Sequence, residues 1–179
     1  MARIAVVAYP TVDQQTLDWI DSIRVRHDPQ ARRIPPHFTL VFPVEESPGE
    51  ITEEIARVCL RHRPIPFVIR SAISMPDVVH GGAHVFVVPD EGRDQIARLH
   101  DELYAGVLRQ HLREDIAFVP HVTIATGDLH WCETYAQQLN GTLQPVRGVI
   151  ESVTLLDVSR TKIESIVRLA LGTPSSQPA

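Results

Sequence analysis

Pro36-His37-Phe38-Thr39-Leu40 and Pro120-His121-Val122-Thr123-Ile124 are one phrase written twice, 84 positions apart. In each copy a proline precedes histidine, a hydrophobic residue, threonine and an aliphatic residue. A run of β-formers entered from a proline turn predicts a strand. Side chains on a strand alternate faces, so the histidine and the threonine two positions on point the same way. Each copy therefore offers an imidazole beside a hydroxyl, and turns Phe38 and Leu40, or Val122 and Ile124, toward a core.

The flanking segments repeat as well. Residues 2–8 form a short apolar strand, and Thr11 with Gln14 makes a capping box for a helix to about Arg26. Its inward positions are Leu17, Ile20 and Ile23 or Val25. After the first motif, Ser47-Pro48-Gly49-Glu50 reads as N-cap, proline at the first helical position and an acidic first turn. The helix it opens buries Ile51, Ile55, Val58 and Cys59 and stops before Pro64, where a strand over 65–74 follows. At Gly81-Gly82 the pattern starts again, with a strand over 84–89 and a long helix from Asp90 to about Leu112. That helix turns Ile96, Leu99, Leu103 and Val107 to one side. The second motif leads to a helix over 128–139 ended by Asn140-Gly141, then strands over 144–157 and 162–171.

Strand, helix, histidine strand, helix, strand thus occurs twice. The expected fold is α+β: a bilobal, pseudo-two-fold duplication in which two antiparallel or mixed sheets with outer helices enclose a central cleft. One bilobal domain over 1–171, with halves of about 1–76 and 83–171, would be followed by a flexible tail over 172–179.

Composition bounds the function. The chain has 179 residues, 44% hydrophobic and 22% charged, enough for one good core. No apolar run approaches the roughly 20 residues of a membrane span, and the N-terminus lacks the layout of a signal peptide. Its two cysteines, Cys59 and Cys132, form no CxxC pattern and read as reduced core thiols of a cytoplasmic protein. A net charge of −5 argues against broad binding to a nucleic-acid backbone, DNA included, while leaving room for a small anion held by local cations.

A cleft lined by two histidines and two threonines suits proton transfer around a phosphate. One imidazole accepts a proton while its partner donates one. Threonine hydroxyls hydrogen-bond the non-bridging oxygens, so no metal is needed. Catalysis is accordingly assigned to His37, Thr39, His121 and Thr123. A lone His-x-Thr is an ordinary strand feature; two copies in one context at matching places are not. His27, His62, His100, His111 and His130 read as solvated surface residues. His80 and His84 flank the Gly-Gly turn, but the absence of a nearby cysteine or acidic cluster makes a zinc site weak. Substrate-binding candidates are Arg32 and Arg33 before the first motif, Arg160 and Lys162 in the C-terminal hairpin, and Tyr9 as a base-stacking aromatic. Phe118 reads as core.

The duplicated motif, above all Ile34-Pro-Pro-His37-Phe-Thr39-Leu-Val-Phe-Pro43, resembles the 2H phosphoesterase superfamily, which includes bacterial 2′-5′ RNA ligases and cyclic nucleotide phosphodiesterases. The resemblance spans about residues 2–171 and carries over onto His37, Thr39, His121 and Thr123. It implies a bilobal fold with a water-filled cleft and no metal or other cofactor; the substrate does not carry over, and the negative net charge points to a small nucleotide or an RNA terminus. The expected activity is opening of a 2′,3′-cyclic phosphate or a 2′-5′ linkage by a monomer that binds no membrane. Two alternatives stand beside it: a non-catalytic RNA- or nucleotide-binding module, and a metal hydrolase built on His80, His84 and an acidic residue.

Overall fold

Both histidine motifs open central strands. In the computed structural model, which describes residues 2–79 and 81–172, the chain runs β1 (Ala2–Ala8), β2 (Thr11–Val12), α1 (Gln14–His27), β3 (Phe38–Glu46), α2 (Pro48–Cys59) and β4 (Ile65–Pro76). It continues through β5 (Ala83–Glu91), α3 (Arg93–Leu103), a 3-10 turn (Val107–His111), β6 (Val122–Gly127), α4 (Leu129–Asn140), β7 (Val146–Ile150), β8 (Ser152–Asp157) and β9 (Glu164–Ala170). His80 and the expected tail from residue 173 lie outside the described residues.

The described strands form one antiparallel sheet ordered β2-β7-β4-β5-β6-β3-β1-β8-β9. The two expected sheets are fused where β3 meets β6, through the single pair Phe38↔Val122. Outward from that junction the order reads β6-β5-β4 on one side and β3-β1-β8 on the other. The halves also exchange helices: α1 from the first half packs on β6 of the second, and α3 from the second packs on β3 of the first. α4 covers β4 and β5, and α2 covers β8 and β9.

Apolar burial fixes which face of the junction is closed. Phe38, Leu40 and Ile124 are 0% exposed and Val122 1%, all within one core cluster that spans both lobes. Each such side chain contributes about 1.5–3 kcal/mol over exposure. A one-residue slip of β3 or β6 would turn these residues to solvent, so the core holds the register. The histidines and threonines are thereby committed to the opposite face.

Several local expectations change for identifiable reasons. The α1 cap is Asp13, whose carboxylate accepts from the Thr16 N–H at 2.8 Å, because Thr11 is used in β2 pairing with β7. Ser47 is the N-cap of α2 with proline following, but its side chain makes no capping bond. Of the two inward alternatives near the end of α1, Ile23 is buried and Val25 exposed, and Arg24 is buried as well because it finds polar partners inside.

The long helix from Asp90 is shorter at both ends. Asp90 stays in β5 and pairs with Arg70 at 2.7 Å, and the chain turns at Gly92, φ +80°. A side chain there would meet the Pro66 carbonyl, and positive φ suits glycine. At the other end the buried Glu54 carboxylate accepts the Val107 N–H at 2.9 Å. Gly106 is required beneath it, because a Cβ would overlap that carboxylate. Val107 is consequently exposed. The strand expected over 144–157 breaks at Glu151 into β7, which pairs with β4, and β8, which pairs with β1. His100 is buried, not solvated: it stacks on Phe118 with centroids 3.7 Å apart, and its Nδ1–H donates to the Leu40 carbonyl at 2.7 Å.

Candidate active site

His37 and His121 immediately precede β3 and β6, the two strands joined at Phe38↔Val122. Continuing that antiparallel register one residue each way sets His37 opposite Thr123 and Thr39 opposite His121. Directly opposed residues share a face. All four lie half-buried on the open side of the sheet, while their neighbours in sequence are sealed in the core.

The two imidazoles are held by the same bond. His37 Nδ1 lies 2.8 Å from the Pro35 carbonyl, and His121 Nδ1 lies 2.6 Å from the Val119 carbonyl. A carbonyl only accepts, so each Nδ1 carries its proton. In the neutral ring Nε2 is then the free base, turned away from the backbone. The proline between histidine and carbonyl has no N–H of its own and a fixed φ, which helps hold the turn in this shape.

Burial pushes the proton affinity of both histidines down. For His121 the pKa falls to about 4, with smaller contributions from the neighbouring His37 and His84 working against the Val119 bond. His37 is lowered mainly by burial and then by Arg24, against the Pro35 bond and Asp28. Both rings are therefore neutral bases near neutrality, not poised at half-protonation there. An anion brought beside either ring would favour its imidazolium form.

Two adjoining cavities make up the cleft, and Thr39 lines both. One, about 330 Å³, holds His37 with Arg3, Gln30 and Arg33. The other, about 480 Å³, holds His121 and Thr123 with Phe42, Phe86, Phe118 and the hairpin residues Val78 and Val79. Phe86 sits opposite Thr123 on β5 and stacks on His121, centroids 3.6 Å apart and planes 16° from parallel. His84 stacks on Phe86 in turn, with Nε2 3.2 Å from Asp77 and Nδ1 3.3 Å from Thr126 Oγ1.

The remaining candidates separate. Arg33 enters the His37 cavity, bonded to Gln30 Oε1 at 3.2 Å and the Thr161 carbonyl at 3.3 Å. Arg32 faces a different cavity, beside Arg26, His27 and Trp131. Arg160 and Lys162 are exposed on the β8–β9 loop, whose flanking Val158 and Ile163 reach the His37 cavity instead. Tyr9 stands edge-on to His37, centroids 6.3 Å apart, and lines a neighbouring hollow with Pro35 and Pro36. Phe118 is both core-packed and cleft-facing.

Arg3 and Phe86 were not singled out from sequence. Both sit at alternate positions of a strand, Arg3 with Ala5 and Val7, and Phe86 with His84. Period-two parity groups such residues but does not say which face is the cleft. Among the described residues no cluster of three histidine, cysteine or carboxylate side chains has the arrangement of a metal site. No described helix is long and apolar enough to cross a membrane.

An antiparallel sheet with paired His-x-Thr strands at its centre places the chain among known relatives. A family model described as the 2′-5′ RNA ligase superfamily matches residues 11–162. The chain belongs to that superfamily, the 2H phosphoesterases that its two motifs resemble. A Geobacillus thermodenitrificans protein named "Putative phosphoesterase" is 30% identical over 140 residues, 75% of this chain and 76% of that protein. A Bacillus licheniformis protein of like name is 32% identical over 126 residues, 69% and 70%. Among solved structures, E. coli LigT complexed with 3′-AMP superposes with TM-score 0.58 at 18% identity, covering 96% of this chain and 99% of LigT. A Thermus thermophilus protein gives 0.62 at 16%, covering 96% and 100%. At these identities the structures speak for the fold.

Proposed function

We propose that this chain is a metal-independent phosphodiesterase that opens a 2′,3′-cyclic phosphate or a 2′-5′ linkage at a nucleotide or RNA end. The observation that carries the reading is the matched pair of Nδ1–carbonyl bonds. They present two Nε2 atoms and two threonine hydroxyls on one open face of adjoining strands. A structural histidine gains nothing from having its outer nitrogen left toward solvent in both copies. The membership of the phosphoesterase superfamily supports the same chemistry, as does the LigT structure with 3′-AMP, whose ligand is a nucleoside phosphate of the kind such an opening leaves.

In the hydrolytic direction, a water molecule attacks phosphorus opposite the leaving ribose oxygen. The neutral Nε2 of one histidine takes a proton from that water as the new P–O bond forms. The protonated Nε2–H of the other gives its proton to the ribose oxygen as the old P–O bond breaks. Atoms and charge balance without an external acid, and the two histidines end with exchanged protonation states. Thr39 and Thr123 donate to the non-bridging oxygens, where negative charge develops. Run backward, the same steps join a hydroxyl to a phosphate.

The direct test is a panel of 2′,3′-cyclic mononucleotides, 2′-5′ dinucleotides and ADP-ribose cyclic phosphate, with product identification in excess chelator. Turnover of at least one class in chelator is expected. Absence of turnover across the panel would leave a binding module. Activity lost to chelator and restored by one divalent ion would move the assignment to a metal hydrolase.

A further inference from the structure

The two cavities that meet at Thr39 differ in charge, and that difference describes a substrate. The cavity around His37 is lined by Arg3 and Arg33, and among the described residues no carboxylate lines it. Arg33 spends two of its N–H groups on Gln30 and the Thr161 carbonyl, leaving the rest of its fork and its charge for a ligand. The cavity around His121 is the reverse. Its lining is mostly apolar, with Met75, Val78, Val79, Ile116 and Phe118 around the histidine. Among the described residues of its wall there is no lysine or arginine, and the acidic side chains are Asp77 and Asp115. Asp77 holds His84, and Asp115 accepts from two nitrogens of Arg113, which does not itself line the cavity.

Val78 and Val79 strengthen the contrast. They are 76% and 60% exposed on the β4–β5 hairpin, at the mouth of the trough. Two adjacent bare valines beside an apolar hollow are a patch that a ligand can cover. A chain of phosphates running along this side would instead meet apolar side chains and two carboxylates, with no lysine or arginine among the described lining residues. A cleft wall of one sign favours the opposite charge and rejects its own.

We infer that the site takes a phosphate ester with a second negative charge on its His37 side and an uncharged, largely apolar arm on its His121 side. The inference rests on the cleft being the phosphate site proposed above. The matching chemistry is a nucleotide with two phosphate groups, its nucleoside face in the trough. An RNA strand that continues past the trough does not match.

Equilibrium binding separates this from the question of turnover. Calorimetry with adenosine 3′-phosphate and adenosine 3′,5′-bisphosphate is the comparison. In the wild-type chain the bisphosphate is expected to bind about 5- to 10-fold more tightly, the scale of two exposed charge contacts. That ratio should shrink as salt is raised. In the Arg3→Ala/Arg33→Ala double variant it should fall to about 1; both side chains are exposed, so the fold is not at issue. Val79→Asp, which adds a carboxylate at the trough, should weaken both ligands alike. Equal affinities in the wild type, a ratio that survives loss of both arginines, or failure to bind either ligand would overturn the inference. The expected affinities without opening of any cyclic phosphate would uphold it and remove the catalytic reading instead.

Discussion

His37 and His121 share a local bond and almost nothing else. Behind His37 is a polar strut: buried Arg24 pairs with Asp28 at 2.8 Å and donates from Nη2 to the Ile34 carbonyl at 3.0 Å. Asp28 in turn accepts the Gln30 N–H at 2.8 Å, so the loop that delivers His37 is tied at both ends to one buried ion pair. Behind His121 is a stack of rings, Phe86 and then His84. The motif sets what each histidine presents, while the surroundings set how it is held and what it faces. A duplicated fold can thus keep its chemistry symmetric and let its two walls diverge.

The strongest way to break this comparison is at the histidines themselves. His37→Ala and His121→Ala should each lower turnover by roughly 10²–10⁴, the usual contribution of a positioned acid or base. Losses of similar size are expected, because a proton must leave one ring and enter the other in every cycle. Thermal unfolding should show both variants folded, since each ring projects from the open face of the sheet and outside its main core. Near-normal turnover in either one would end the paired-histidine assignment.

Arg24→Met attacks only the His37 support. It leaves Asp28 buried without its partner, a change that costs about 3–5 kcal/mol in comparable settings. The denaturant midpoint should fall accordingly. Arg24→Met/Asp28→Leu, which removes both charges, should recover most of the loss, because a buried pair is often no better than apolar packing. An unchanged midpoint in the single variant would show that the strut is not what holds the loop.

These supports were largely invisible in the sequence. The His-x-Thr parity, the proline turns and the apolar stripes of α2 and α4 follow from periods of 2.0 and 3.6, and the structure keeps them. Arg24 stands four residues from Ile20, on the inward stripe of α1, but its charge argues for solvent, so Ile23 or Val25 is read inward instead. Only the carbonyl of Ile34 and the carboxylate of Asp28, brought together by the fold, reverse that choice. His100 was misjudged in the same way: its partner, the Leu40 carbonyl, is 60 residues away. The break at Glu151 and the helix end at Gly106 also depend on distant strands and on Glu54. Local pattern finds what a residue presents along its own element; it does not find partners supplied across the sheet.

The threonines sharpen the comparison at lower amplitude. Thr39→Ala and Thr123→Ala should each slow turnover by about tenfold, since a neutral donor is one part of the anion's cradle. Thr39 borders both cavities and Thr123 only the trough. The larger loss is therefore expected at Thr39, and single-turnover rates on one cyclic phosphate would rank them. The reverse order would place the phosphate wholly in the trough.

The smallest change is expected from thinning the cover over one ring, and it is read as a shift along the pH axis. On the proposed mechanism, the form that acts carries one proton on the histidine pair. With His121 at about 4 and His37 below its ordinary 6.5, that form is most abundant on the acid side of 6.5 in the free protein. Plots of kcat/KM against pH should therefore peak there, reporting the pair and not either ring alone. Stability has a definite sign as well. Lowered folded-state values mean that the unfolded chain takes up protons first as pH falls from 6.5 to about 4, so stability from these burials is complete above 6.5 and is lost through that window. Phe86→Leu removes the ring stacked on His121 and admits water beside it. Since burial is the largest cause of the lowered value, the acid limb should move up from about 4 toward 6.5, and the alkaline limb should hardly change. Proton titration of the His121 ring by NMR reads the same shift without turnover. If both limbs stayed in place, Phe86 would be packing alone, and the depressed proton affinity would come from burial by the rest of the cleft wall, with His37 and His84 adding to it.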